Sequence, residues 1–176
     1  MVRVWDPLVR IFHWGLVVMF AIAWVTPEVF DNAHEWSGYI VAGLVGIRLI
    51  WGLIGPRYAR FTNFIKSPQS VIGYIRSMVT GSEKRYLGHN PAGGAMIVAL
   101  LITLLLTVLT GWMQTLPQYT HVGWVKDSHD AITSVMMILI VAHVLGVFIA
   151  SRHHDENLAK SMVNGQKRAA QDDDIG

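Results

Sequence analysis

The sequence predicts an all-α integral membrane protein, a four-helix bundle with short amphipathic helices on the membrane surface. Of its 176 residues, 52% are hydrophobic and only 15% are charged, and the mean hydropathy is +0.39. These values are typical of membrane proteins rather than of water-soluble domains. Four apolar stretches are each long enough to cross a bilayer, which takes about 20 residues in a helix. They lie at about 8–26, 36–54, 92–116 and 127–150.

No segment outside these stretches is long enough for a second folded domain, so we interpret residues 1–176 as one membrane domain. The first span has no small-residue cleavage site after a short apolar core, and we expect it to be retained. Cysteine is absent, which excludes disulfides, iron–sulfur clusters, thiolate zinc sites and covalently attached c-type haem. Lipid is the expected surrounding, and no nucleic-acid partner is expected.

The first two spans each carry one histidine. Span one begins at Pro7, which suits a first helical turn, and it contains His13 near its start. Span two opens with His34, and Arg48 follows fourteen residues later on nearly the same face. Arg48 either snorkels to the interface or neutralises an acidic ligand group. Three small residues in span two allow close approach of either a helix or a flat cofactor: Gly38, Gly43 and Gly46.

The connection 55–90 is the longest polar segment and is strongly basic. Ser67 and Pro68 predict an N-cap and first turn, and apolar residues then recur at helical spacing up to Gly81, as in an amphipathic surface helix. Span three follows His89 and Asn90 and has no histidine of its own. Taken alone, His89 is best explained as a hydrogen-bonding loop residue.

Span four carries His129 and His143, fourteen residues apart. Fourteen residues are nearly four helical turns, so both imidazoles leave the same face, about 21 Å apart along the axis. That separation is too large for one metal ion and indicates two stacked sites. Ionisable side chains inside an apolar span are costly and usually functional. The alternative is two buried histidines that bond neighbouring helices.

Basic residues lie almost entirely on one side of the predicted bundle. The N-terminus, the end of span two, the connection 55–90 and the tail 152–176 carry the lysines and arginines, whereas the opposite side has Lys126. The positive-inside rule therefore predicts a multi-pass protein of the bacterial inner membrane with both termini in the cytoplasm. His13 and His143 then share the cytoplasmic half, and His34 and His129 the outer half. We expect residues 172–176 to fray, and three histidines to be solvated: His121, His153 and His154.

Two imidazoles that face each other across a bundle core make a six-coordinate site for an iron porphyrin. With both axial positions filled, such a centre passes electrons and binds no gas. A structural zinc site is less well matched because it requires four ligands. A proton relay remains an alternative, although four histidines at two depths exceed what a relay needs.

Several segments together resemble the bacterial cytochrome b561 family, in the branch similar to the b-type cytochrome subunit of nickel–iron hydrogenases. They are residues 5–14 (WDPLVRIFHW), His34 with 48–52 (RLIWG), 88–91 (GHNP), His129 with His143, and 152–168. The resemblance implies a four-helix bundle that holds two b haems and exchanges electrons with membrane quinone. It assigns His13 and His143 to one haem, and His34 and His129 to the other, in agreement with the predicted depths.

Three functions follow from this interpretation. The first is electron transfer between the quinone pool and a periplasmic redox partner such as a c-type cytochrome. The second is superoxide oxidation with quinone as acceptor, and the third is a haem-bearing membrane anchor for a hydrogenase-like oxidoreductase. Whether the protein is an enzyme in its own right stays open. The outer loops are acidic, which favours a basic cytochrome over an anion: Glu28, Asp31, Glu35 and Asp127.

Quinone reduction consumes protons and requires polar groups near a haem, at the boundary between apolar and polar surroundings. The cytoplasmic end offers His89 and Asn90 at the mouth of span three, with Arg10 and Arg48 nearby. An imidazole can exchange a proton near neutral pH, and an amide can hydrogen-bond a carbonyl. We therefore expect His89 and Asn90 to border a quinone site. The alternative is that the four groups bind haem propionates. For Arg10 and Arg48 the sequence supports this role at least as well as quinone binding.

Overall fold

The computed structural model describes residues 1–27, 30–172 and 174–175, and it confirms an all-α fold. Four of its helices are long and apolar enough to cross a membrane: α1 (Pro7–Val25), α2 (Asp31–Ile54), α5 (Pro91–Gln114) and α6 (Gly123–His153). The shorter elements are β1 (Val2–Arg3), α3 (Phe61–Phe64), α4 (Pro68–Thr80), α7 (Leu158–Asn164) and β2 (Gln166–Lys167). Helix α6 runs a few residues beyond the predicted fourth span at each end.

Side-chain caps explain where the helices start. The Asp6 carboxylate accepts hydrogen bonds from the N–H groups of Leu8 and Val9, and Pro7 occupies the first turn of α1. Asn90 caps α5 in the same way, and Ser67 caps α4. Each of these side chains satisfies backbone donors that lack a partner inside the helix. Helix α4 ends at Gly81, which has a positive φ of 65°, a conformation that costs glycine little.

The bundle consists of two helical hairpins, α1 with α2 and α5 with α6, which are joined by packing of α2 on α5. Its most buried contact cluster lies midway along the helices and contains Val41, Val45, Leu104 and Met136. Most other side chains of the four spans are at least partly exposed. That distribution fits helices whose outer faces contact lipid, because the bilayer then covers the apolar surface.

Helix α3 packs between the end of α2 and the start of α5. Gly52 faces the ring of Phe61, and Gly94 faces the backbone carbonyl of Phe64, so a side chain at either glycine would collide with α3. The two glycines therefore let the connection after α2 sit directly on the bundle. This contact positions both phenylalanine rings beside Arg48 and His89.

The chain termini are held together, contrary to the expected fraying of residues 172–176. Strand β1 pairs antiparallel with β2, with Val2 opposite Lys167. The buried Arg85 side chain forms ion pairs with Glu156 and Asp174, and Ile175 bridges to Tyr86. Asp173 and Gly176 lie outside the described residues. The tail thus docks onto the segment that precedes α5. Nothing in the sequence indicated that these charged residues would pair.

Candidate functional site

Helices α1 and α6 bring His13 and His143 together. Their ring centroids are 6.4 Å apart, with the ring planes at 54°. The His13 ring also meets Trp14 edge-on at 5.3 Å. Its Nδ1 atom is buried and has no hydrogen-bond partner. A buried polar atom without a partner is costly, so this end of the bundle is organised for a group that the protein itself does not supply.

Helices α2 and α6 bring His34 and His129 together, with ring centroids 6.2 Å apart and planes at 79°. His34 Nδ1 lies 2.8 Å from the carbonyl oxygen of Ala23. A carbonyl oxygen only accepts, so His34 carries its proton on Nδ1 and leaves the Nε2 lone pair free. His129 Nδ1 lies 3.0 Å from the Thr110 hydroxyl oxygen, and that hydroxyl donates to the Leu106 carbonyl at 2.8 Å.

Both separations match those of two axial imidazoles on one metal ion. A metal–nitrogen bond is about 2.0 Å and the ring centre lies about 1.1 Å further, which places two opposed centroids about 6.3 Å apart. The observed values are 6.4 and 6.2 Å. In the described part of the chain, no group of three or more His, Asp or Glu side chains is arranged to hold a metal ion. The donor sets are therefore pairs, which suit an iron porphyrin and not a four-ligand zinc site.

Arg48 does not snorkel to the surface. Arg48 is only 3% exposed. Its guanidinium lies 5.0 Å from the centre of the Phe61 ring, and its Nη1 atom is buried without a hydrogen-bond partner. A buried cation requires a compensating anion or acceptor. Arg48 is thus placed to receive an acidic group near the His13–His143 pair.

Arg10 is partly engaged by the protein itself. Its Nη1 atom donates to the carbonyl oxygen of Val163 at 2.5 Å, which ties α1 to the end of α7. Its Nε atom is buried and has no partner. Gly165 leaves space for this side chain, since a Cβ there would lie 3.4 Å from Nε. Arg10 therefore has a structural role, and only part of its guanidinium remains for a ligand.

The His89 ring lies between two aromatic rings, 4.5 Å from Trp5 and 4.9 Å from Phe64 by their centroids. Burial, together with the nearby charges of Lys167 and Arg48, lowers the pKa of His89 to about 3. His89 is therefore neutral at neutral pH, and it does not titrate there as the sequence had suggested. Its buried Nδ1 atom has no partner in the protein, so the imidazole is available for a hydrogen bond to a ligand.

Asn90 serves as the N-cap of α5, with its Oδ1 accepting from Gly93 N–H at 2.7 Å. Burial raises the pKa of Tyr74 to about 12, with the charge of Glu83 acting in the same direction. The amide oxygen of Asn90 is thus already engaged in capping α5, a role that Pro91 in the following position could have indicated.

The three histidines predicted to be solvated differ in their surroundings. His121 is exposed. The Nδ1 atom of His153 hydrogen-bonds the buried carboxylate of Glu83 at 2.5 Å, and the Nε2 atom of His154 is buried without a partner. His153 is exposed, as expected, whereas His154 is half-buried because the end of α6 packs near the segment before α5. None of the three approaches the paired histidines of the bundle core.

Thr110 is the residue that sequence reasoning missed. It is buried on α5 and orients the ring of His129. Span three was expected to contribute no ligand, and the hydroxyl contacts the imidazole rather than a metal. Three threonines in an otherwise mostly aliphatic span were the available signal, Thr103, Thr107 and Thr110, but which of them meets His129 depends on how α5 packs against α6.

The family model of prokaryotic cytochrome b561 matches residues 4–165 of the chain. No curated protein and no solved structure matches the chain. The matched range includes all four membrane-crossing helices and both histidine pairs. Members of this family bind b-type haem, for which the paired imidazoles and the buried Arg48 provide fitting donors. The chain belongs to the prokaryotic cytochrome b561 family and is a transmembrane haem b electron-transfer protein.

Proposed function

We propose that the protein carries two b haems and transfers electrons between the quinone pool and a periplasmic redox partner such as a c-type cytochrome. The observation that supports this proposal is the presence of two histidine pairs, at 6.4 and 6.2 Å, each with the spacing of a bis-imidazole site. Helix α6 contributes to both pairs, at positions about 21 Å apart along its axis. Two such sites would connect the two faces of the membrane.

In this proposal His13 and His143 hold one haem, and His34 and His129 hold the other. Bound haem iron supplies one-electron redox chemistry whose potential depends on its axial ligands and its burial. The two imidazoles of each pair would hold the iron from both sides and would leave it no free coordination position for oxygen or substrate. The hydrogen bonds from His34 to Ala23 and between His129 and Thr110 fix ring orientation and tautomer, as outer-sphere partners of metal-bound histidines generally do.

Arg48 is the best candidate for a haem propionate contact near the His13–His143 pair. Its charge is buried, and one of its nitrogens lacks a partner in the protein. Arg10 also has one unpartnered nitrogen, Nε, but its Nη1 atom already donates to the Val163 carbonyl. We assign Arg48 the larger share of any interaction with an acidic group at this site.

The quinone site is proposed at the same end of the bundle, bordered by His89 and Asn90. His89 is neutral and has a free Nδ1, which suits a hydrogen bond to a quinone oxygen. Because the carbonyl of Asn90 caps α5, only its amide N–H₂ can contribute to quinone binding.

We propose an inner-membrane location with both termini in the cytoplasm. The basic connection after α2 and the tail lie at the end of the bundle that holds His13 and His143, consistent with the positive-inside rule. The opposite face exposes Asp31, Glu35 and Asp127, while Glu28 lies outside the described residues. Lys126 on that face is ion-paired with Asp130 at 2.6 Å. Such a face attracts a basic protein better than the superoxide anion.

A liposome assay tests this function. The haem-loaded protein is reconstituted with quinol in the bilayer and an oxidised basic c-type cytochrome outside. Each quinol releases two electrons and two protons, so two cytochrome molecules should be reduced per quinol. Reduction should require both histidine pairs and should slow as salt increases, since attraction between opposite charges is screened. Rapid haem reduction by superoxide without any reaction with the cytochrome would instead indicate the superoxide oxidase.

A further inference from the structure

A cavity of about 250 Å³ lies between the end of α2 and the segment before α5. His89 lies at its wall, and its other polar lining comes from residues outside the proposed electron-transfer sites. They are Arg57, Tyr58, Asn63, Lys66 and Tyr86. Among the described residues that line it, none carries a carboxylate. The cavity therefore combines two cations with hydroxyl and amide groups and lacks a built-in counter-ion.

This arrangement favours a phosphate group. A guanidinium and an ammonium group are the side chains that bind phosphate oxygens best, through charge-assisted hydrogen bonds. The Arg57 guanidinium lies 5.7 Å from the centre of the Tyr58 ring, which orients it beside the cavity. Asn63 donates to the Arg57 backbone carbonyl at 2.5 Å and holds the loop in place. Asn63, which also lines the cavity, thus fixes the main chain at Arg57.

The surroundings of the cavity point to a phosphate attached to a lipid. Leu53 and Ile54 at the end of α2 are each 72% exposed, and Ile65 next to Lys66 is 49% exposed. Exposed apolar side chains directly beside cations are typical of the level where acyl chains meet headgroups. The neighbouring helix α4 also exposes Ile72 and Val79, as expected for a helix lying on the membrane surface. A soluble phosphate would gain nothing from these apolar groups.

We propose that this cavity binds the phosphate group of an anionic phospholipid. Arg57 and Lys66 contact the phosphate, Tyr58 and Tyr86 offer hydroxyl groups, and the acyl chains lie along Leu53, Ile54 and Ile65. This inference does not depend on whether quinone binds near His89. Neither Arg57 nor Lys66 belongs to a proposed redox site, and both line the cavity.

The test uses haem-loaded protein purified in a neutral detergent, which has no charged membrane surface of its own. Short-chain phosphatidylglycerol, short-chain phosphatidylcholine and inorganic phosphate are titrated separately, and binding is followed by native mass spectrometry and by the thermal unfolding midpoint. The variant Arg57→Gln/Lys66→Gln removes both cavity cations. The matched control Arg76→Gln/Lys84→Gln removes two exposed cations from the same basic connection, outside the cavity. An unchanged haem spectrum verifies folding of each variant.

Each basic side chain near a membrane surface typically contributes about fivefold in affinity for anionic lipid. The cavity variant should therefore bind phosphatidylglycerol about 25-fold more weakly, whereas the control should change it by less than about twofold. Equal loss in both variants would show diffuse attraction and overturn the proposal. Inorganic phosphate that binds as tightly as the lipid would assign the cavity to a soluble anion, and phosphatidylcholine that binds equally well would remove the role of net charge.

Discussion

The imidazoles of His34 and His129 face each other at 6.2 Å while the Nδ1 atom of each ring is already engaged elsewhere. His34 donates to the carbonyl of Ala23 on α1, and His129 is bonded to the hydroxyl of Thr110 on α5. Helices α1 and α5 therefore orient a histidine pair that α2 and α6 carry, so all four spans take part. The Nε2 atoms are left as the free ligating atoms, so the pair is pre-organised before any metal is bound.

This relationship predicts that Thr110→Val weakens haem retention without removing a ligand. The hydroxyl accepts the Nδ1 proton of His129 because it donates to the Leu106 carbonyl, and valine preserves the shape while abolishing the bond. Loss of such an outer-sphere partner typically costs about 10- to 100-fold in metal-site affinity. We expect the haem of the His34–His129 pair to be lost selectively during competition with apomyoglobin. Difference spectroscopy measures the loss.

Thr103→Val provides the control. Thr103 is buried in the same helix and donates to the carbonyl four residues earlier at 2.8 Å, as Thr110 does. Thr103→Val therefore has the same cost of replacing a buried threonine by valine, but Thr103 has no hydrogen bond to His129. A similar loss of haem in both variants would attribute the effect to helix packing and not to the histidine.

The number of haems is the second prediction. Four paired histidines at two depths and the absence of cysteine predict two non-covalent b haems per chain. A pyridine haemochrome assay on pure protein should give a ratio close to two haems per polypeptide. A ratio near one, or a c-type spectrum, would contradict the two-site arrangement.

Each ligand pair should fail as a unit. His34→Ala or His129→Ala should remove one component from a redox titration, and His13→Ala or His143→Ala should remove the other. The reason is geometric, because each ring has one partner at about 6.3 Å, the distance of a shared metal. His121→Ala is the control and should retain both components, since His121 is exposed. Loss of the same component from the His34 and His143 variants would show that the pairing is wrong.

The tail should be released by acid. Burial by itself would raise the pKa of the Glu156 and Asp174 carboxyls, but hydrogen bonds from Arg85 and from backbone N–H groups hold both pKa values below the ordinary range. Carboxyls with a depressed folded pKa stabilise docking above the ordinary value of about 4, and that stabilisation is lost as the pH falls through the folded pKa. Hydrogen exchange in residues 166–175 should therefore stay slow from pH 7 to about 5 and rise below about 4.

Arg85→Gln should release the tail even at pH 7. It leaves two carboxylates without their main partner, a loss of about 3 kcal/mol for a buried ion pair. Lys160→Gln on α7 removes an exposed cation of the same region and should keep the tail protected. A protected tail in the Arg85 variant would mean that the pairing of β1 with β2 suffices to hold it.

The histidine sites could be predicted from the sequence because helix periodicity is local. The spacing of His129 and His143 fixed their common face, and the positions of His13 and His34 in their spans fixed the partners. The buried state of Arg48 was not predictable in the same way. It depends on α3 folding back onto Gly52 and Gly94, which is a contact between segments with no shared pattern.

The docking of the tail was out of reach for a similar reason. Arg85 lies 71 residues from Glu156 and 89 from Asp174, and ion pairs at such separations have no periodic signature. The charged composition of residues 172–176 predicted solvation, since unpaired charges prefer water. Only the folded arrangement shows that one arginine neutralises two carboxylates at once.

The final prediction concerns the quinone. His89 lies at the end of the bundle that holds His13 and His143, with a neutral ring and an unpartnered Nδ1. Because the folded pKa lies far below 7, the ring should act as a hydrogen-bond partner over the whole range from pH 6 to 8. His89→Ala should slow quinol-driven haem reduction by about tenfold, the worth of one hydrogen bond of about 1.4 kcal/mol, with little dependence on pH. Reduction by dithionite should be unchanged.

Asn90 needs a variant that preserves its structural role. Asn90→Asp retains an oxygen to cap Gly93 N–H and removes only the amide donor, whereas Asn90→Ala removes both. If the amide binds quinone, both variants should slow quinol oxidation, and if it only caps α5, Asn90→Asp should react at the normal rate. Stopped-flow reduction with both haems present separates these outcomes. Normal quinol kinetics in His89→Ala as well as Asn90→Asp would place the quinone elsewhere, with the His34–His129 pair as the next site to test.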